Sequence, residues 1–169
     1  YLEVFYKVCF TCSGGRCFYQ SINSFFSESF KLTKKIVKEV VVNHSRSEVL
    51  NLIFAYENYS LFIPGCISST KKEISKSKTQ GKLVFSFLNK NYIFKSLNQE
   101  IEDGLKMNQV SGPFKSFRSF WRVTSVNNKT LIKFSAEFET NYILEFIATD
   151  KRINSIADKV IAAFLARLS

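Results

Sequence analysis

The stretch Thr130–Ser169, TLIKFSAEFETNYILEFIATDKRINSIADKVIAAFLARLS, changes its hydrophobic period part-way and so decides the fold. Over residues 130–139 the even positions Ile132, Phe134, Ala136 and Phe138 are apolar, while the odd positions include Lys133, Ser135, Glu137 and Glu139. A period of two predicts a strand with one covered face and one wet face. From Asn141 the period lengthens: Ile143, Ile147, Ile153, Ile156, Val160, Phe164 and Leu168 form a stripe that Ala157, Ile161 and Leu165 widen. That spacing predicts an amphipathic helix. Thr140 or Asn141 can cap its start, because a short polar side chain accepts from an unpaired backbone N–H. Unbroken to Leu168, the helix would be roughly 40 Å long. Ala148-Thr149-Asp150-Lys151-Arg152 interrupts the stripe and predicts a bend or restart near Asp150. A helix this long, apolar on one side, needs a sheet to lie in.

Working back from that stretch, the chain supplies the sheet. Ile36–Asn43, with Ile36, Val37, Val40, Val41 and Val42, reads as a first strand. Ser45-Arg46-Ser47-Glu48 is a capping box, in which hydroxyl and carboxylate satisfy backbone N–H groups reciprocally. The helix it opens carries Val49, Leu52, Ile53 and Tyr56 on one face, and Leu61-Phe62-Ile63 forms a short helical turn stopped by Pro64 and Gly65. Strands are then expected over Ile67–Ser75, Lys82–Asn89, Tyr92–Glu102, Leu105–Ser111 and Phe117–Val126, before the strand at Thr130. The connections at Ser75–Gly81, Asn89–Asn91, Glu102–Gly104 and Asn127-Asn128 are polar turns. Alternation places Phe117, Trp121 and Val123 on one face, with Arg118, Arg122 and Thr124 on the other. Short turns make neighbouring strands antiparallel, and a sheet with one apolar face needs a cover. The expected fold is therefore α+β, a helix-grip arrangement with a curved antiparallel sheet wrapped around the C-terminal helix.

A length of 169 residues suits one domain with a full core, and 18 Phe with only 6 Gly and 2 Pro argue for an aromatic interior. The net charge is +10, of which residues 1–31 contribute +1. The basic excess thus belongs to the domain and favours an anionic membrane or a nucleic acid without choosing between them. No stretch reaches the roughly 18–20 apolar residues of a membrane-spanning helix.

Residues 1–31 are expected to be a leader or a poorly ordered extension, and residues 32–169 the folded domain. The segment is rich in Phe and Ser and has no regular period. Cys9, Cys12 and Cys17 lie there, whereas the remaining Cys66 and the single His44 fall in other contexts, so a metal site is not expected. Few acids beside Arg16 and several Ser fit an import leader, against which Glu3, Glu28 and the apolar start count.

Several segments resemble one known family. Tyr59–Cys66 is similar to its Y…F(L/V)P.C signature. Gly112-Pro113-Phe114-Lys115 with Trp121 resembles its GPFK…W.F segment, with Val123 where the family prefers Phe and Ser119-Phe120 where it is usually glycine. Residues 134–139 resemble its F.L.FEF strand, and residues 162–167 its closing AF..RA. The family is the coenzyme Q-binding, START-like group of the polyketide cyclase superfamily, whose branches include mitochondrial ubiquinone-binding proteins and a bacterial ribosome association toxin. The resemblance runs from about Lys34 to Arg167.

That resemblance implies non-catalytic binding of ubiquinone in an apolar cavity, in support of ubiquinone biosynthesis and respiration. No separate cofactor is expected. The implied setting is the matrix side of the mitochondrial inner membrane, or the cytoplasm if the chain belongs to the bacterial branch. The residues expected to line the cavity are Phe62, Pro64, Phe85, Phe87, Phe94, Met107, Phe114, Trp121, Phe134, Phe138, Val160 and Phe164. Each of them also suits plain core packing. The residues themselves carry few catalytic tools: one His, no paired nucleophile, no phosphate-cradling glycine loop, and Glu137 and Glu139 on the wet face. Lys71, Lys72, Arg118 and Arg122 form the expected surface for an anionic membrane; in the alternative reading they meet RNA of the large ribosomal subunit.

Overall fold

Strand β7 (Lys129–Glu139) is an interior strand of the hydrogen-bonded sheet, second from one end, with both its edges taken. It pairs antiparallel with β1 (Thr33–Val42) on one side and β6 (Ser116–Val126) on the other, with Ile132 opposite both Val40 and Val123. The structure, a computed structural model, describes residues 33–87, 89–140 and 149–168. The expected leader with Cys9, Cys12 and Cys17, and the expected helix over residues 141–148 with Ile143 and Ile147, lie outside the described residues.

The remaining strands are β2 (Cys66–Ser75), β3 (Lys78–Phe87), β4 (Lys90–Ile101) and β5 (Gly104–Ser111). Together they give one seven-stranded antiparallel sheet in the order β1-β7-β6-β5-β4-β3-β2. Every link from β2 to β7 is a hairpin, and only β1 is carried across to close on β7. Asn127 and Asn128 sit at φ 47° and 62°, the left-handed conformations that a tight hairpin demands and that asparagine tolerates.

Helix α1 (Arg46–Phe54) begins at the capping box foreseen from Ser45 and Glu48. The Ser45 N–H donates to the Glu48 carboxylate at 2.8 Å, and the Glu48 N–H donates to the Ser45 hydroxyl at 3.3 Å. Val49 and Ile53 are buried beneath it. Tyr56 does not continue this helix as expected; it opens a 3-10 helix, Tyr56–Leu61, that takes in only Leu61 of the turn anticipated at Leu61–Ile63. Gly65, at φ 77°, then turns the chain into β2.

Two other boundaries differ. Strand β3 starts at Lys78, so the turn before it is only Lys76-Ser77 rather than Ser75–Gly81. The inward positions there are Thr79 and Gly81, which carry no apolar signal although Thr79 is buried. The C-terminal helix α2 (Asp150–Leu168) starts where the polar interruption predicts a restart. It buries Ala157 and Phe164, whereas Ile156, assigned to its apolar stripe, is 54% exposed because it lies beside rather than beneath that face. The inward lysines of β1 hold the helix electrostatically: Lys38 pairs with Asp158 at 2.7 Å and Lys34 with Asp150 at 3.1 Å. Among the described residues no helix is long and apolar enough to cross a membrane.

Candidate functional site

Alternation along each strand sends one set of side chains to the concave side of the sheet, and two aromatic groups collect there. The first lies under α2. Phe164 meets Trp121 at 4.8 Å, Tyr59 at 5.2 Å and Phe62 at 5.3 Å between ring centroids, and Trp121 meets Phe134 at 4.7 Å. The second lies towards the opposite end of β6: Phe117 contacts Phe94 at 5.2 Å and Phe114 at 5.4 Å, and Phe114 contacts Phe138 at 5.1 Å. Edge and tilted contacts of this kind suit the ring quadrupoles and add to burial.

The two ends differ in how completely they are filled. Under α2 and α1 the structure leaves an apolar void of only about 10 Å³, bordered by residues such as Leu52, Ile161 and Leu168. That is the room of about one water molecule. At the other end Phe85, Phe114 and Phe117 are half-buried and Phe87 is 44% exposed. A loosely covered aromatic surface therefore faces the concave side there, suited to an apolar ligand.

Most of the expected lining residues fall in these groups. Phe94, Met107, Trp121, Phe138 and Phe164 are buried, and Phe62, Phe85, Phe114, Phe134 and Val160 are half-buried against the core. Pro64 is exposed beside the Gly65 turn and belongs to neither group.

A polar row between the aromatic groups escaped the hydrophobic pattern. Thr79, Ser96, Asn98 and Ser119 are buried at inward positions on β3, β4 and β6. The Tyr56 hydroxyl donates to Thr79 Oγ1 at 2.5 Å. The available signal was phase: Ser96 and Asn98 continue the alternation begun by Tyr92 and Phe94. Nearby, the Tyr59 hydroxyl donates to the Ile53 carbonyl at 2.7 Å, and burial pushes its pKa well above the ordinary tyrosine value. Burial likewise raises the Cys66 thiol. Both groups are thereby kept protonated at neutral pH, a poor state for a base or a nucleophile. Among the described residues no cluster of His, Cys, Asp or Glu could hold a metal ion.

On the convex face the basic residues divide. Arg118 pairs with Glu137 at 2.6 Å, and this bond leads the causes that hold the Glu137 carboxyl below its usual range. Arg122 pairs with Asp103, and Lys133 with Glu39. Lys71, expected on the wet face, instead points inward: its ammonium donates to the Phe54 carbonyl at 3.0 Å and lies 5.3 Å from the centre of the Tyr56 ring. The reason is register, since Lys71 opposes inward Gly81. Lys72 is exposed, and Lys82 and Lys95 face each other across β3 and β4, all three outside any ion pair among the described residues.

Comparison with known proteins agrees with this architecture. Residues 42–165 match the family model described as polyketide cyclase / dehydrase and lipid transport. The ribosome association toxin RatA of Escherichia coli is 26% identical over 136 residues, covering 79% of this chain and 85% of that protein. Among solved structures, a START superfamily protein from Mycobacterium smegmatis superimposes with a TM-score of 0.62 at 13% identity, over 79% of this chain and 92% of that one. The Zhui aromatase/cyclase from Streptomyces sp. R1128 gives 0.64 at 12% identity, over 80% and 93%. Its helix-grip sheet and its match to the family model along most of its length make this chain a member of the polyketide cyclase / dehydrase and lipid transport family, with the START-like fold.

Proposed function

We propose that the chain binds a polyisoprenoid quinone, ubiquinone or a close relative, and carries it without chemical change in support of ubiquinone biosynthesis and respiratory electron transport. The observation that carries this reading is the loosely covered aromatic surface formed by Phe85, Phe87, Phe114 and Phe117 on the concave face. Burying a few hundred Å² of isoprenoid tail there would contribute several kcal/mol at about 25 cal/mol per Å². No catalytic group is needed for that. Protonated Tyr59 and Cys66 and the cation-paired Glu137 favour a carrier over a cyclase. The proposed setting is an anionic membrane surface, the matrix side of the mitochondrial inner membrane, met peripherally through basic residues. The test is solvent extraction of the purified protein, with quinone identified by its ultraviolet absorbance, followed by titration with added ubiquinone. Folded protein that neither copurifies with nor takes up any quinone overturns the reading.

A second reading is association with the large ribosomal subunit, with a cytoplasmic location. What favours it is the similarity to a protein named for ribosome association, together with the exposed Lys72, Lys82 and Lys95. Salt-sensitive cosedimentation with ribosomal subunits would support it.

A further inference from the structure

The polar row on the concave face contains hydrogen-bonding capacity that the protein itself does not use. Asn98 in β4 is 0% exposed, and neither its Nδ2 nor its Oδ1 has a partner among the described residues. The same holds for the buried Oε1 of Gln109 in β5, whose Nε2 donates to the Phe114 carbonyl at 2.8 Å. Register sets Asn98 opposite Met107 and Ser96 opposite Gln109, so the two amides are diagonal neighbours on one face. Buried polar groups are nearly always paired, and an unpaired one lowers stability. The unpaired Asn98 amide and the unpaired Gln109 oxygen, diagonal on one face, therefore mark a place for a polar group from elsewhere.

The surroundings define what that group is. Tyr56 and Thr79 satisfy each other, so the unused capacity is confined to the two amides. It comprises the amide hydrogens of Asn98 and two carbonyl-type oxygens. Along β4 the inward positions run Phe94, Ser96, Asn98, at roughly 6–7 Å per step of two residues. A ligand reaching inward from the accessible aromatic end along this row would meet Asn98 after Phe94 and Ser96. Met107, opposite Asn98, is unbranched and adapts its shape readily.

We infer that Asn98 and Gln109 receive the hydroxyl-bearing ring of an apolar ligand, with its tail on the aromatic end, and so favour a hydroquinone or phenol over a ring bearing only carbonyls. This deepens the proposed quinone reading and rests on it. A hydroxyl accepts from Asn98 Nδ2 and donates to Asn98 Oδ1 or Gln109 Oε1. A quinone carbonyl can only accept, which leaves both amide oxygens unpaired.

The test compares three short-tailed probes on the whole protein under anaerobic conditions: a ubiquinol analogue, its quinone, and the bis-methyl ether of the quinol. The quinol should bind about ten-fold tighter than the ether or the quinone, the effect of one or two neutral hydrogen bonds. Asn98→Leu should abolish that preference without lowering the melting temperature, because an apolar side chain of similar size replaces an unpaired amide. If this variant does not fold, Asn98→Ala serves for the same comparison. Equal binding of all three probes by the wild-type protein overturns the inference and leaves the quinone reading standing. A preference that survives in a folded Asn98 variant also overturns it, as does a fall in melting temperature with the preference intact. Binding of none of the three would sink the quinone reading together with this one.

Discussion

Trp121 is 4% exposed, with its ring against both Phe134 and Phe164, so it joins the sheet to the C-terminal helix. Trp121→Ala removes that bridge and leaves a cavity beside a void of about 10 Å³ that is too small to collapse into. The loss should be about 3–5 kcal/mol by chemical denaturation; a loss below about 1 kcal/mol would contradict the burial seen here. Gly81 makes the opposite point. A Cβ at this position would lie 3.0 Å from Asn98 Nδ2, Ser96 Oγ and Tyr56 Cε2 alike. The Tyr56 ring has little freedom to retreat, because its hydroxyl is bonded to Thr79 and Lys71 sits over its face. Gly81→Ala should therefore destabilise by about 1–3 kcal/mol, as overpacking does; an unchanged or raised melting temperature would show that the polar row has slack.

At the scale of the element, α1 offers a test that depends on pH. The Glu48 carboxyl is held below its ordinary range, chiefly by the Ser45 hydroxyl and then by the Ser45 backbone N–H. A carboxyl with a lowered folded pKa stabilises fully above its unfolded value, about pH 4, and loses that contribution as pH falls through the folded value. Glu48→Gln should therefore melt lower than wild type at pH 7, and the gap should close in acid; a gap constant with pH would rule out the carboxylate as its source. Elements of this sort were legible from sequence because their signals are local. The capping box is four consecutive residues, and the strands of β6 and β7 alternate cleanly. The misread parts are those where contacts distant in sequence decide. Thr79 and Gly81 looked like a turn because their inward faces are polar and are covered by Tyr56, more than twenty residues earlier. The site divides in the same way. Aromatic lining could be read from phase, but the Asn98–Gln109 pair required the register of two strands.

For the molecule as a whole, a charge of +10 raises the question of what the basic surface is for. Arg118, Arg122 and Lys133 are engaged by Glu137, Asp103 and Glu39, and exposed pairs of this kind are worth little to the fold. Lys82 and Lys95 are different, since like charges directly opposite across a strand pair repel each other. Lys82→Glu turns that repulsion into an attraction, while Lys72, exposed on β2 and diagonal to Lys82, keeps its own charge. The variant should melt at the same temperature as wild type or slightly above it. If this face meets an anionic surface, the same change should weaken association, most visibly at low salt, because exposed charges are screened within about 8–10 Å at physiological ionic strength. Stability and association thus move in opposite directions, which no general damage to the fold would produce. Sedimentation with cardiolipin-containing vesicles and with large ribosomal subunits, run in parallel over a salt series, identifies the surface. Loss from vesicles alone supports peripheral membrane binding through the convex face. Loss from ribosomal subunits alone, steep in salt as phosphate contacts require, supports the second reading. Association unchanged on both would remove the β3–β4 lysines from either interface.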